Sequence, residues 1–265
     1  MTMNLKAFQD ALIAGREALN AYDGGPDGRS ASRTSRHVAP IHRYVAMELA
    51  ARGLPASAMV PNPDREDGRY MPEGVDRIIH QLRRSRLLRS DEGQDWINHR
   101  EEDALKSRRN ILGAYHQKEV DVSVVVEGSG PLVVVSVKAP TSSVGKNAVN
   151  RYEEGIGEAT NLHTRFPMLV FGFLMVLPKV PELYVDGEGP TSRFRTVEKL
   201  LGGTSTRRAI TDPPGGYEAA ALALVDYDLD VPALISDAPA PESPLRLERF
   251  FDTLVELHHQ RNGAG

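Results

Sequence analysis

The chain has 265 residues, of which 40% are hydrophobic and 26% are charged, as expected of a soluble globular protein that can bury a sizeable core. It contains no cysteine, which excludes a disulfide framework, a thiolate zinc site and a cysteine nucleophile, and fits the reducing cytoplasm. The net charge of −4 disfavours a non-specific nucleic-acid coat protein, but it does not exclude a DNA enzyme, because binding depends on local basic patches.

The first third of the chain is predicted to be helical. Apolar periodicity and turn signals predict four helices separated by polar loops, over residues 5–21, 41–51, 75–88 and 92–109. We expect residues 1–110 to form a helical N-terminal region that belongs to the same domain as the rest. Trp96, the only tryptophan, is expected in the core. We expect no signal peptide, because residues 1–6 lack a long apolar core, and no membrane partner, because the longest apolar run, residues 168–177, is too short to span a bilayer.

The centre and the C-terminal part predict a sheet. Two β-branched runs, 120–126 and 132–138, flank a Gly128-Ser129 turn and predict a hairpin. The elements predicted to follow are a helix over 151–166, a buried strand within 167–177, a strand over 219–227 and a last helix opened by Ser243-Pro244. This order predicts an α/β fold, a mixed β-sheet flanked by helices, with its core in residues 111–265. His163, on the apolar stripe of the central helix, is expected to be a core histidine.

Polar residues interrupt the apolar hairpin at one end. Side chains alternate between the faces of a strand, so Ser136 and Lys138 should share one face and the intervening valines the other. If the chain turns at Gly128-Ser129, Asp121 lies opposite Ser136. A buried Asp and a buried Lys need each other, a metal or solvent, because an unpaired buried charge is costly. A purely structural Asp–Lys pair between neighbouring strands is one possible outcome.

Two acids open the helix that follows. Glu153 and Glu154 are expected in its first turn, where acids interact favourably with the helix dipole. The linker after Lys138 is rich in Ser, Gly and Asn, so it can return the helix start to the strand ends. Carboxylates together with a backbone carbonyl suit a hard cation such as Mg²⁺, and a nearby lysine suits the negative charge that develops when water attacks a phosphodiester.

These residues carry a family resemblance. Asp121 followed by Ser136-Val137-Lys138 resembles the PD-(D/E)xK nuclease superfamily, whose pattern places an Asp on one strand and an acid-x-Lys on the next. Over residues 118–161 the chain is similar to a group of type II restriction endonucleases, whose lysine strand precedes an Asn-Asn-Arg-x-Glu-Glu helix start. The resemblance implies a restriction-endonuclease-like core and Mg²⁺-dependent hydrolysis of double-stranded DNA that leaves a 5′-phosphate.

One position departs from the family pattern. Ser136 stands where the family has an acid. Some restriction endonucleases carry Ser-x-Lys and take the missing acid from the following helix, which here implies Glu154 as first choice and Glu153 close behind.

The resemblance also implies the role of each site residue. Asp121 and Glu154 would bind Mg²⁺ with the carbonyl of Val137, and Lys138 would orient or activate the attacking water and stabilise the developing charge.

The resemblance implies a homodimer on DNA. Lys146, Asn147, Asn150 and Arg151 could contact the phosphate backbone or cap the helix. Several basic clusters could hold the DNA, although a solvated surface is the alternative for each of them: Arg29, Arg33 and Arg36; Arg83, Arg84, Arg86 and Arg89; Arg193 and Arg195; Arg207 and Arg208.

Two other functions stay open at the sequence level. The first is a defence-effector or repair nuclease of the same fold. The second is a DNA-binding module that became catalytically inactive when its acid at position 136 was lost.

Overall fold

The computed structural model describes residues 2–21, 37–85, 88–141 and 143–263. Arg86 and the cluster of Arg29, Arg33 and Arg36 lie outside these ranges. Within them, a six-stranded mixed sheet lies between two layers of helices, which confirms the predicted α/β fold class.

The described part of the chain contains seven α-helices and ten strands. The helices are α1 (Leu5–Asn20), α2 (Ala39–Ala51), α3 (Glu73–Arg84), α4 (Asp91–Ala104), α5 (Val144–Arg165), α6 (Ser192–Thr204) and α7 (Leu247–Asn262). The strands are β1 (Met59–Val60), β2 (Arg109–Leu112), β3 (Gln117–Val120), β4 (Val122–Val126), β5 (Gly130–Lys138), β6 (Val170–Pro178), β7 (Tyr184–Val185), β8 (Gly189–Pro190), β9 (Ala219–Asp226) and β10 (Ala233–Leu234).

The main sheet has the order β1-β4-β5-β6-β9-β10. Its three central strands β5, β6 and β9 are parallel, whereas β1, β4 and β10 run antiparallel to their neighbours. α5 makes the crossover from β5 to β6, as parallel neighbours require. Lys138 therefore lies at the carboxyl end of a parallel strand, next to Met175 of β6.

The two faces of the sheet bury different residues. Val133, Val135 and Val137 pack with α1, α2 and α7, whereas Val134 packs on the opposite face with α5 and α6. Ser136 shares the α5 face because side chains alternate along β5. The predicted division of the strand is confirmed.

The N-terminal region contributes directly to this core. Buried residues of α1 and α2 belong to the same apolar cluster as the valines of β4 and β5. β1 is the edge strand of the sheet and pairs with β4 at Met59 and Val124. Residues 1–110 are therefore not wholly helical. In the described ranges, none of the helices has the length and apolar content needed to cross a membrane.

Two predicted boundaries near the site are wrong. The strand predicted over 120–126 is broken at Asp121, because residues 117–120 pair with β2 instead of β5. The helix predicted over 92–109 ends at Ala104, and the chain then bridges Tyr70 through Lys106 and enters β2. Trp96 of α4 is 49% exposed and lies beside Arg100 rather than in the core.

The central helix begins earlier than predicted. α5 starts at Val144, not at residue 151, because Val144 and Ala148 are buried against the sheet at helical spacing. Glu153 and Glu154 consequently lie in the third turn, where the helix dipole has little effect. The last helix also differs: α7 begins at Leu247, and the chain at Ser243 forms a turn before it.

Candidate functional site

Asp121 is fixed at the break between β3 and β4. Its Oδ2 atom accepts a hydrogen bond from the backbone N–H of Val137 at 2.8 Å, and the hydroxyl of Ser136 lies 3.5 Å away. Backbone pairing between β4 and β5 ends at Val122 and Val135. The carboxylate of Asp121 therefore accepts the hydrogen bond of the Val137 N–H in place of a backbone carbonyl. The prediction that Asp121 lies opposite Ser136 is confirmed.

The positive charge of Lys138 is balanced by carboxylates of α5 rather than by a salt bridge to Asp121. Its Nζ lies 3.1 Å from Oε1 of Glu154 and 2.9 Å from Oε1 of Glu158, and its side chain is only 12% exposed. In the described part of the chain, no salt bridge joins Lys138 to Asp121. The simple Asp–Lys pair between strands is therefore not what the structure contains.

The charge state of Lys138 follows from this environment. Burial disfavours the ammonium form, but the carboxylates of Glu158, Asp121 and Glu154 outweigh burial and raise the pKa of Lys138 above its usual value. Lys138 is therefore a cation at neutral pH. It can donate hydrogen bonds to water or phosphate, but it is poorly suited to accept a proton.

Glu154 is the helix acid that reaches the strand end. Its Oε1 contacts Lys138, and its Oε2 accepts a hydrogen bond from Arg151 at 2.5 Å. Partial burial opposes ionisation, yet Lys138 and Arg151 lower the pKa of Glu154 to about 2. Glu153 is exposed, because adjacent helical residues point about 100° apart. The structure thus brings Glu154, and not Glu153, to Lys138.

A close helix–sheet approach places Glu154. A Cβ at Gly155 would lie 2.4 Å from the ring of Phe173 and 2.6 Å from the hydroxyl of Tyr217, so only glycine fits. Tyr217 also donates a hydrogen bond to the carbonyl of Tyr152. These contacts hold the third turn of α5 directly on the sheet.

Two members of the charge cluster were not predicted from the sequence. Glu158 is buried and bridges Lys138 and Lys118, whose Nζ atoms lie 2.9 and 2.7 Å from its Oε1. Glu158 follows Glu154 by four residues, so both acids project from one side of α5. That spacing is the sequence signal that could have identified Glu158.

His42 of α2 is a further unpredicted neighbour. Its Nε2 lies 3.9 Å from Oδ1 of Asp121. Burial, together with the positive charge of Lys138, lowers the pKa of His42 against the opposing effect of Asp121, so its imidazole is neutral at neutral pH. His42 is separated from Asp121 by 79 residues, and no local pattern signals the contact.

A cleft of about 770 Å³ opens beside Asp121 and His42. It lies between the α1–α2 pair and the β2–β3 hairpin, and its other lining residues include Asp10, Arg43, Asp67 and Arg108. The site is therefore accessible from solvent on the side of Asp121, whereas Lys138 faces α5.

The donor atoms are of the chemical type that a divalent cation binds. Asp121 and Glu154 supply the carboxylate oxygens that Mg²⁺ prefers, and the carbonyl of Val137 stays a predicted ligand. Across the described ranges, no three histidine or acidic side chains are already gathered in a ready-made metal cluster. Glu154 would exchange at least one of its cationic partners to bind the ion.

The predicted DNA-contacting residues fall into two places. Lys146, Asn150 and Arg151 are exposed on the first half of α5, and Arg151 is paired with Glu154. Asn147 lies in the first turn, where its backbone N–H bonds to the carbonyl of Ser143. Lys146 and Asn150 line a shallow concavity of about 530 Å³ with Arg193 of α6.

The α3 arginines are less directly connected to the site. Arg83 donates to Asn98 at 2.9 Å and is ion-paired with Glu101, both on α4. Arg84 is exposed in the last turn of α3. Arg207 lies neither on a solvated surface nor at a DNA-accessible one, because it is buried and paired with Glu218.

No protein-family model matches this chain, and no match was found among curated proteins or solved structures. The PD-(D/E)xK resemblance therefore stays a prediction from the sequence.

Proposed function

We propose that the protein is a Mg²⁺-dependent endonuclease of the type II restriction kind, which cleaves double-stranded DNA at a specific sequence and acts as a cytoplasmic homodimer. The observation that carries the proposal is the contact between Lys138 and Glu154. The chain lacks an acid at Ser136, and a carboxylate from the next helix reaches the lysine at the same strand end as Asp121.

Each residue has a role in the proposed hydrolysis. Asp121 and Glu154 would hold Mg²⁺, which would supply Lewis-acid stabilisation of the phosphodiester oxygens. Lys138, as an ammonium, would orient the attacking water and balance the negative charge that develops on the phosphoryl group. The backbone N–H of Val137 holds Asp121 in place during this step.

A second candidate function is a catalytically inactive DNA-binding module. Both carboxylate oxygens of Glu154 are already engaged, one by Lys138 and the other by Arg151. If these ion pairs never open, Glu154 cannot bind a cation. A defence-effector or repair nuclease would use the same chemistry and would differ only in the DNA that it selects.

Incubation of the protein with long unmodified double-stranded DNA and Mg²⁺ distinguishes these functions. Discrete fragments with 5′-phosphate ends are expected from a restriction endonuclease, and a smear would favour a less specific nuclease. Binding without cleavage in every divalent metal tested would favour the inactive module.

Variants test whether cleavage depends on this site. Lys138→Ala should lose cleavage by about 10³-fold or more while it still binds DNA in Ca²⁺, and Lys6→Ala, at an exposed lysine of α1, should cleave normally. Full activity of Lys138→Ala would refute the assignment.

A further inference from the structure

His42 has a buried nitrogen that no protein group satisfies. The Nε2 atom is out of contact with solvent and has no hydrogen-bond partner among the described residues. Buried polar atoms are nearly always paired, so this exception requires an explanation. The nearest acceptor is Oδ1 of Asp121, and it is 3.9 Å away.

The distance between these two atoms would allow one metal ion to bind both of them. At 3.9 Å it is too long for a hydrogen bond, yet it is shorter than two metal–ligand bonds of about 2.1 Å each. An ion between His42 and Asp121 could therefore contact both atoms. Oδ2 of Asp121 is held by Val137, which leaves Oδ1 directed at the imidazole.

We propose that His42 Nε2 and Asp121 Oδ1 are two ligands of one metal ion, and that the imidazole makes this site prefer Mn²⁺ or Co²⁺ to Mg²⁺. The inference rests on the proposed function only in taking this ion to be the one that serves DNA hydrolysis. Imidazole nitrogen binds Mn²⁺ and Co²⁺ readily, whereas Mg²⁺ strongly prefers oxygen ligands and retains its water.

The surroundings suit a site of this kind. His42 is carried by α2, whose neighbouring residues Ile41 and Val45 are buried in the core, so the position of the imidazole is fixed. The positive charge of Lys138, which would repel a cation, is balanced by Glu158, which lies 2.9 Å from it and is not needed as a metal ligand. The cleft beside Asp121 gives the ion and its water a route to the site.

Metal titration without DNA tests the proposal directly. We would measure Mn²⁺ binding by electron paramagnetic resonance and Mg²⁺ binding by calorimetry. Wild type should bind Mn²⁺ more tightly than Mg²⁺. His42→Ala should weaken Mn²⁺ binding by at least about tenfold and change Mg²⁺ binding by less than about threefold. His80→Ala, at an exposed histidine of α3, is the matched control and should bind like wild type.

A spectroscopic measurement keeps the test independent of whether His42→Ala folds. Electron spin-echo modulation from imidazole nitrogen should appear in the Mn²⁺-loaded wild-type protein and disappear after selective ¹⁵N labelling of histidine, with ¹⁵N couplings in its place. Absence of any histidine coupling, or Mn²⁺ binding that His42→Ala leaves unchanged, would overturn the inference.

DNA cleavage, followed separately, distinguishes this inference from the proposed function. Histidine-bound Mn²⁺ with no cleavage in Mn²⁺, Co²⁺ or Mg²⁺ would keep the metal site and refute the nuclease. Cleavage together with a histidine-independent metal site would keep the nuclease and refute the role of His42.

Discussion

At the residue scale, the charge balance around Lys138 decides what the site can do. Its ammonium contacts two carboxylates of α5, and Asp121 adds a third negative charge nearby. The raised pKa of Lys138 favours a group that orients water and stabilises charge over one that removes a proton. Ser136, in the position of the usual acid, is left with a hydroxyl directed at Asp121.

Glu158 should position Lys138 without binding the metal itself. Glu158→Gln removes the charge shared by Lys138 and Lys118, so the lysine should become less well ordered. We expect single-turnover cleavage to slow by about tenfold with DNA affinity in Ca²⁺ unchanged, a smaller loss than for a residue that acts in the transition state. An unaltered rate, or weaker DNA binding alone, would exclude the positioning role.

The sequence predicts part of this site for physical reasons. Strand alternation predicts that Ser136 and Lys138 share a face. Asp121 faces Ser136 only because the hairpin register shifts by one residue between Val124 and Val125, since the turn itself pairs Val126 with Gly130. The approach of His42 depends on how α2 packs on the sheet, and no pattern within α2 encodes it. Trp96 is predicted in the core but is half exposed, because a large apolar side chain can remain at the surface when a neighbouring arginine shields one face of its ring.

At the scale of elements, the position of α5 on the sheet determines where Glu154 lies. The helix extends for 22 residues from Val144, and its third turn approaches Phe173 through Gly155. The polar residues after Lys138 predict a loop, but two of them, Lys146 and Asn150, lie on the exposed side of a helix whose buried side includes Val144 and Ala148. The start of α5 was therefore missed because few apolar residues mark it.

Two glycines of α5 provide a matched test of this packing. Gly155→Ala should cost about 1–3 kcal/mol by overpacking against Phe173 and Tyr217, and should also slow cleavage by moving Glu154 away from Lys138. Gly157→Ala meets open space and should stabilise the helix by about 0.5–1 kcal/mol. Urea unfolding measures both changes, and equal effects at the two positions would contradict the close approach.

At the scale of the whole molecule, a buried ion network joins the layers on the side away from Lys138. Glu218 is fully buried and accepts hydrogen bonds from the backbone N–H of Phe171 in β6, from Arg261 of α7 and from Arg207. His163 of α5 lies 3.1 Å from the same carboxylate, which confirms its predicted place in the core. Residues of the sheet and of both helix layers therefore contact the single carboxylate of Glu218.

This network should make folding sensitive to acid. Burial raises the pKa of Glu218, but the imidazole of His163, which lies 3.1 Å away, and hydrogen bonds from Phe171 and Arg261 outweigh burial and hold the pKa below its usual value. A carboxylate with a lowered folded pKa stabilises the protein above the unfolded value of about 4.3, and that stabilisation is lost as the pH falls through the folded pKa.

Substitution of Glu218 by Gln should lower the free energy of unfolding at neutral pH. Glu218→Gln leaves Arg207 and Arg261 without their buried partner, so we expect a loss of about 3–5 kcal/mol in urea unfolding. Its stability should also fall less than that of wild type between neutral pH and about pH 3. Glu256→Gln, on the exposed side of α7, is the control. A Glu218→Gln protein as stable as this control would refute the role of the network.

The most direct test of the site compares the two helix acids, using a DNA that the wild-type protein cleaves. Single-turnover cleavage in saturating metal should fall by about 10³-fold or more in Glu154→Gln and stay within about threefold of wild type in Glu153→Gln. Glu154 reaches Lys138, and Glu153 is exposed. Full activity of Glu154→Gln, or an equal loss in Glu153→Gln, would contradict the claim that Glu154 replaces the acid missing at Ser136.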